Sequence, residues 1–419
     1  MMRRDLLLAA PAASALAAPA LGQSGKPALD LFLRMQVEQH RAVGIAAQVV
    51  HRDGTLVFAG AAGRRDPDAP DPIRPDTLFR LASMTKPITA VAVLMLVEEG
   101  RIGLEDPADR FLPEFGTPRV QTTPGQDEPA SRVPTIRDLL RHVSGLSYRF
   151  MNVPGIVEDY ARRGVDDGLA APDLTMAENM RRLSGAPLQA QPGTRWGYGL
   201  SFDVLGAVIE RVAGVPFDRF VIERIGRPLG MDSLVFHVPE SERGRMARAM
   251  MMAEGSGIRP IARGDGVPFA ITGGRIISDP ERAFSATAYP SGGGGATATL
   301  GDYLRFARML LNGGALDGVR LLREETVAAM GAPQTGDLPI NLAGPGFSFG
   351  YGVAVLVDRE AAKSPQPNGA FGWSGVYGTG VSIDPASGLA FVLMTQTAVE
   401  GMLIADEFVR AFYTQGGAR

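Results

Sequence analysis

LFRLASMTKPITAVAVLMLVEEG, residues 78–100, is an apolar run that opens at Ser83 and carries one lysine, Lys86, inside it. The chain has three lysines (Lys26, Lys86, Lys363) among 42 basic residues, so arginine is its ordinary cation. Positions 83 and 86 stand three apart, which on a helix puts hydroxyl and amine on one face. Ser83 falls at or just before the helix start, where free N–H groups and the positive end of the helix dipole favour a developing negative charge. Lys86 lies one turn in, among Ile88, Ala90 and Val91. Desolvation favours the neutral form of an amine, which can then act as a base. Arginine cannot release its proton at workable pH. Ser-x-x-Lys is a loose pattern, and a lysine snorkelling from an ordinary helix is the competing reading.

Working outward, Leu29, Leu31, Phe32, Met35 and Val37 have helical spacing, and GIAAQVVHRDGTLVFAGAAG (44–63) reads as two strands turning at Asp53-Gly54. The stretch 101–340 reads mostly as helices and long loops, including TIRDLLRHVSGL, FDVLGAVIERVAG and LGDYLRFARMLLNGG, the last two ended by glycine. After 345, FGYGVAVLVD, FGWSGVYGTGVSIDP and GLAFVLMTQT are strand-like, and IADEFVRAFYTQ is a closing helix. The expected fold class is α/β (α+β). One antiparallel sheet from both chain ends (26–100 plus 341–419) carries helices, and a mostly helical insert spans 101–340. A cleft between the two is the natural place for a site. SGGGG at 291–295 is the one low-complexity spot.

The 419 residues, 45% hydrophobic and with net charge −3, fit a soluble globular protein with a sizeable core. There is no basic stripe for nucleic acid and no cysteine for a thiolate site or disulfide. The four scattered histidines (His40, His51, His142, His237) make no zinc pattern. No metal or organic cofactor is implied. Residues 1–25 read as an export signal, with MMRRD as the basic start, LLLAAPAASALAA as the apolar segment and small residues for cleavage near Gly22 or Ser24. Arg3-Arg4 fits a twin-arginine signal as well as a Sec signal, and either sends the mature protein, with no membrane span, to the periplasm. The sequence sets no oligomeric state.

Two further segments bear chemistry. Tyr198, in a glycine-flanked loop before an amphipathic helix, either packs as a core tyrosine or shares the serine proton with Lys86. Trp373, Ser374 and Gly375 lie on a small-residue strand. That strand is either an ordinary sheet edge or a substrate edge whose next backbone N–H, at Val376, completes an oxyanion hole with that of Ser83.

With these motifs, DTLFRLASMTKPITA, TIRDLLRHVSGLSY, PGTRWGYGLSFDVLGAVIE, PSGGGGATATLGDYLRFARMLLNGG and FGWSGVYGTGVSIDPASGLAFVLMTQ resemble the serine β-lactamase and penicillin-binding-protein superfamily over roughly residues 28–412. The chain is most similar to the class C-like branch and, there, to the family VIII carboxylesterases. The resemblance implies Ser83 as nucleophile, Lys86 as general base, and Tyr198 as the proton shuttle to the leaving group. Two departures point away from β-lactams. Tyr198-Gly199-Leu200 replaces Tyr-x-Asn, and Trp373-Ser374-Gly375 replaces Lys-Thr-Gly, losing a charge-assisted contact worth about 1.5–3 kcal/mol. The expected activity is a serine carboxylesterase acting on a small neutral ester through an acyl-enzyme. The alternatives are a β-lactamase, a D,D-peptidase on cell-wall peptides, an acyltransferase to an acceptor other than water, or a binding protein with a dead site, which the presence of Ser83, Lys86 and Tyr198 disfavours.

Gly346-Phe347-Ser348-Phe349-Gly350 fits a nucleophile elbow, but the stretch after Ser348 alternates like a strand, and no histidine comes later in the chain. His142 is expected as a loop histidine bonded to backbone. Met246, Met250, Met251 and Met252 are expected to line a pocket wall.

Overall fold

The computed structural model describes residues 26–171, 173–255 and 257–415. The expected export signal, residues 1–25, lies outside the described residues. Seven antiparallel strands form the main sheet: β1 (Gly44–His51), β2 (Leu56–Gly63), β3 (Phe347–Phe349), β4 (Ala354–Leu356), β5 (Phe371–Gly375), β6 (Thr379–Asp384) and β7 (Leu389–Thr395). Their order is β3-β4-β5-β6-β7-β1-β2, so the two chain ends meet where β1 pairs with β7, from Ile45 opposite Thr395 to His51 opposite Leu389. The sheet from both ends follows from the apolar runs at 44–63 and after 345.

Both faces of the sheet are covered, which explains why its central strands are apolar without alternation. Leu389, Phe391 and Leu393 of β7 pack with Ile45, Ala47 and Val49 under helices α1 (Pro27–Glu38) and α5 (Glu400–Thr414). Ala390, Val392 and Met394 face the main core, which also takes in α2 (Thr85–Glu98), α3 (Ser201–Ala213) and α4 (Leu300–Leu311). Helix α2 is apolar all round and buried from Thr85 to Leu96, as a helix through the middle of a core must be. Helix α4, in the stretch expected as the insert, packs on β7, β1 and β6, and the core runs on without a break between sheet and helices. That stretch also holds hairpins, among them Gly266–Phe269 with Gly274–Ile277. Among the described residues, no helix is long and apolar enough to cross a membrane.

Two local expectations need correction. FGYGVAVLVD is not one strand: a turn between Phe349 and Ala354 separates β3 from β4, with Gly350 N–H donating to the Val353 carbonyl and Gly352 at φ +77°. TIRDLLRHVSGL is helical only over Ile136–Leu140, because His142 turns into the left-handed region at φ +57°.

Candidate active site

Ser83 sits in the single turn Ala82–Met84 that runs directly into α2. Neighbouring elements clamp this turn: Leu81 N–H donates to Ala296 O, Thr379 Oγ1 to Leu81 O, and Tyr303 Oη to Met84 O. Ala82 is held at φ +45°, an unfavourable conformation for a residue with a Cβ. Strand β5 ends against the same turn. A Cβ on Gly375 would stand 2.1 Å from Leu81 O, so only glycine lets the strand come this close. That approach brings Val376 to the cavity that Ser83 also borders.

Tyr198 comes from the loop before α3, which is pinned to the loop after residue 141. Gly197 N–H donates to His142 O and Leu200 N–H to Ser147 O, and a Cβ on Gly199 would lie 2.4 Å from Leu146 O. The glycine of Tyr198-Gly199-Leu200 is thus a packing requirement. Leu200 is fully buried and does not border the cavity, so nothing at that position reaches a ligand.

The three side chains converge. Ser83 Oγ is 3.1 Å from Lys86 Nζ and accepts a hydrogen bond from Tyr198 Oη at 2.7 Å. Lys86 Nζ donates to the Gly293 carbonyl at 2.7 Å and lies 4.6 Å from the centre of the Tyr198 ring. No part of Lys86 reaches solvent, whereas Ser83 is half-buried and faces the cavity. The Trp373 indole N–H donates to Tyr198 Oη at 3.2 Å. Ser83, Lys86, Tyr198 and Trp373 therefore form one connected polar group. Ser374, Val376 and Trp373 border the cavity, while Gly375 serves the close approach. Removing the indole donor in Trp373→Phe costs one neutral hydrogen bond, about 1 kcal/mol. We expect kcat for ester hydrolysis to fall about fivefold, measured by steady-state kinetics, and a fall above about 100-fold would mean Trp373 does more than hold Tyr198.

The cavity, about 560 Å³ in all, takes in space on both faces of the sheet, bordered by Ser83 and Tyr148 on one and by Phe408 and Arg410 of α5 on the other. Tyr148 and Phe150 stack beside Tyr198, with ring centres 4.8 Å apart. Phe269, Ile271 and Ile276 from the 266–277 hairpin close one wall, and Leu342, Ala343 and Phe347 contribute to the rest of the apolar lining. No local pattern marks that hairpin wall, since its residues become neighbours of Ser83 only through the fold. The cations that border the cavity, Lys363 and Arg410, stand after β4 and on α5, and none stands on β5. Among the described residues no cluster of side chains could hold a metal ion.

Ser348 lies within β3, shares a hydrogen bond with Thr335 Oγ1 at 3.0 Å, and is followed by another strand, so it forms no elbow. The His142 ring is fully buried and neither nitrogen has a hydrogen-bond partner among the described residues, contrary to the backbone bond expected. It sits among the Trp196, Tyr198, Phe202 and Phe349 rings, and that burial, with Lys86 nearby, pushes its pKa well below the ordinary value. The methionines also differ from expectation: Met246, Met250 and Met251 are buried core and Met252 points outward, so none lines the cavity.

Residues 29–414 match the family model described as Beta-lactamase. Esterase EstB of Burkholderia gladioli is 39% identical over 380 residues, covering 89% of this chain and 91% of its own. Acyltransferase calJ of Penicillium decumbens is 29% identical over 334 residues, 73% of this chain and 72% of its own. The solved structure of EstCE1, described as a hydrolase with promiscuous acyltransferase activity, superposes with a TM-score of 0.84 at 32% identity, over 94% of this chain and 98% of that one.

Proposed function

The chain belongs to the beta-lactamase family, and from that premise we propose that it is a serine carboxylesterase. The observation that carries the reading is the hydrogen-bonded set of Ser83, Lys86 and Tyr198 opening on a cavity with mostly apolar walls. The names of its relatives support ester chemistry in particular.

In this reading Lys86 takes the Ser83 proton as Oγ attacks the ester carbonyl. The Ser83–acyl bond forms, and the oxyanion lies between the backbone N–H groups of Ser83 and Val376. As the bond to the alcohol breaks, Tyr198 gives the departing alkoxide a proton and recovers one from Lys86. Water then repeats the sequence in reverse and frees the acid. A stabilised oxyanion and a shared proton lower the barrier by separate routes, so neither substitutes for the other. Transfer of the acyl group to another alcohol needs no change in this machinery, and EstCE1 and calJ favour it as the second reading. The basic start at Arg3-Arg4 and the apolar run after it support export to the periplasm as part of the same proposal.

Trp373 on β5, where a β-lactam enzyme has a cation, supports neutral substrates. We expect the protein to hydrolyse p-nitrophenyl butyrate, with kcat/KM for the chromogenic cephalosporin nitrocefin about 10- to 100-fold lower, the size of one lost charge-assisted contact. An inactive wild type would sink the esterase reading, and a preference for nitrocefin would restore the β-lactamase one.

A further inference from the structure

Helix α3 carries a carboxylate that no step of the proposed mechanism uses. Asp203 is fully buried, and neither of its oxygens has a hydrogen-bond partner among the described residues. The hydroxyl of Ser291, equally buried, also lacks one. Leaving a carboxylate in this condition costs stability, and a neutral side chain would cost less. Its position relative to Lys86 gives the reason. A Cβ on Gly293 would stand 2.5 Å from Asp203 Oδ2 and 2.7 Å from Tyr148 Oη. The carbonyl of that same glycine receives the Lys86 amine. Both hydrogen bonds of Lys86 go to neutral oxygens, on Ser83 and Gly293, and the rings of Tyr198 and Tyr148 face it, so a positive charge on it has no anion in direct contact.

We infer that Asp203 is a positioning residue whose carboxylate, across Gly293, is the counter-charge for the ammonium formed on Lys86 when it takes the Ser83 proton. The inference rests on the Ser-Lys-Tyr reading of the site. Two other buried acids stand close by, and both are already engaged. Asp166 accepts from the Gly168 and Ala171 amides, and Asp167 accepts from Arg149 N–H with the Arg149 guanidinium 3.7 Å away. Asp203 has no amide or guanidinium bonded to it, only the neighbouring Ser291 hydroxyl, which pulls its pKa down. SGGGG makes the arrangement possible, because a side chain at 293 would displace Asp203 or Tyr148.

The groups that act on Asp203 are Lys86, Arg282, Ser291 and Asp166, with Tyr148, Tyr289 and Asp167 acted on in turn. Burial pushes its carboxyl up to about 6, while Ser291, Lys86 and Arg282 pull the other way. The counter-charge is therefore present above about pH 6 and lost as pH falls through that value.

The test is kcat and KM for p-nitrophenyl butyrate between about pH 5 and 9, on wild type and Asp203→Asn, with a thermal melt of each. We expect Asp203→Asn to melt no lower than wild type and to keep KM within about twofold. Its kcat should be about 10- to 100-fold lower at pH 8, the scale of one charge at short range in a buried site. It should also lack the fall that wild type shows below about pH 6. A folded Asp203→Asn with wild-type kcat and pH profile overturns the inference. If that variant does not fold, wild type decides: a flat kcat from pH 5 to 8 overturns it, and a fall that persists in Asp167→Asn supports it. An inactive wild type overturns the esterase reading itself, a result distinct from an active enzyme indifferent to residue 203.

Discussion

Ser83→Ala is expected to lower kcat for p-nitrophenyl butyrate by about four to six orders of magnitude while changing stability by no more than about 1 kcal/mol. The large loss follows from the connectivity of the site. Lys86 and Tyr198 both reach Ser83 Oγ, at 3.1 and 2.7 Å, and neither has another path to a substrate carbonyl among the contacts described. Groups that work as one unit lose nearly everything when any one is removed, so the base and the shuttle without the nucleophile contribute almost nothing. The small cost to folding follows from what remains. Lys86 keeps the Gly293 carbonyl, Tyr198 keeps the Trp373 indole, and Ser83 is half-buried at a cavity wall where a missing hydroxyl leaves no closed void. The readout is turnover together with a melting curve. Ser348→Ala serves as the comparison, because Ser348 is bonded to Thr335 within β3 and its loss should leave turnover intact. Activity that survives Ser83→Ala at more than about a hundredth of wild type would remove Ser83 from the nucleophile's role.

How much of the site is legible without the fold depends on range. The Ser83–Lys86 relation is local, a single helical turn, and the apolar run marks its helix as buried. The meeting of the chain ends in one sheet can be read because both ends are strand-like and the middle is not. Tyr198 can be singled out by its glycine-flanked loop, but its partners cannot. Its 2.7 Å contact with Ser83 spans 115 residues, and the contact from Trp373 spans 175. SGGGG reads as low complexity, yet Gly293 holds Lys86 from 207 residues away and Gly292 offers its carbonyl to Thr89 Oγ1. The run marks close approaches: a Cβ at 292 would fall 2.3 Å from Phe202 O. His142 shows the opposite error. A polar residue in a loop ordinarily finds backbone, and here the ring serves as one more flat surface in an aromatic cluster. The methionine run misleads in the same way, since softness suits a core as well as a pocket and only burial separates the two.

Lys86→Arg carries the second large expected effect, a fall in kcat of about three to four orders of magnitude that is no smaller than that of Lys86→Met. Arginine would supply a positive charge and donors to the Gly293 carbonyl. It cannot give up its proton, so it cannot receive the one from Ser83. Space works against it as well, because Nζ already sits 2.7 Å from Gly293 O and 3.1 Å from Ser83 Oγ with no solvent-exposed surface into which a larger head could turn. Steady-state kinetics on wild type, Lys86→Arg and Lys86→Met, each checked for melting temperature, make the comparison. A base predicts that both variants fail alike and that raising the pH rescues neither. An electrostatic anchor predicts that arginine stays within about tenfold of wild type while methionine does not, since charge alone would then suffice. That second pattern would dismiss Lys86 as the proton acceptor and leave Tyr198, the other group touching Ser83 Oγ, to take its place. The first pattern would explain why a chain that writes nearly all its positive charges as arginine keeps a lysine at the start of a helix buried from Thr85 to Leu96.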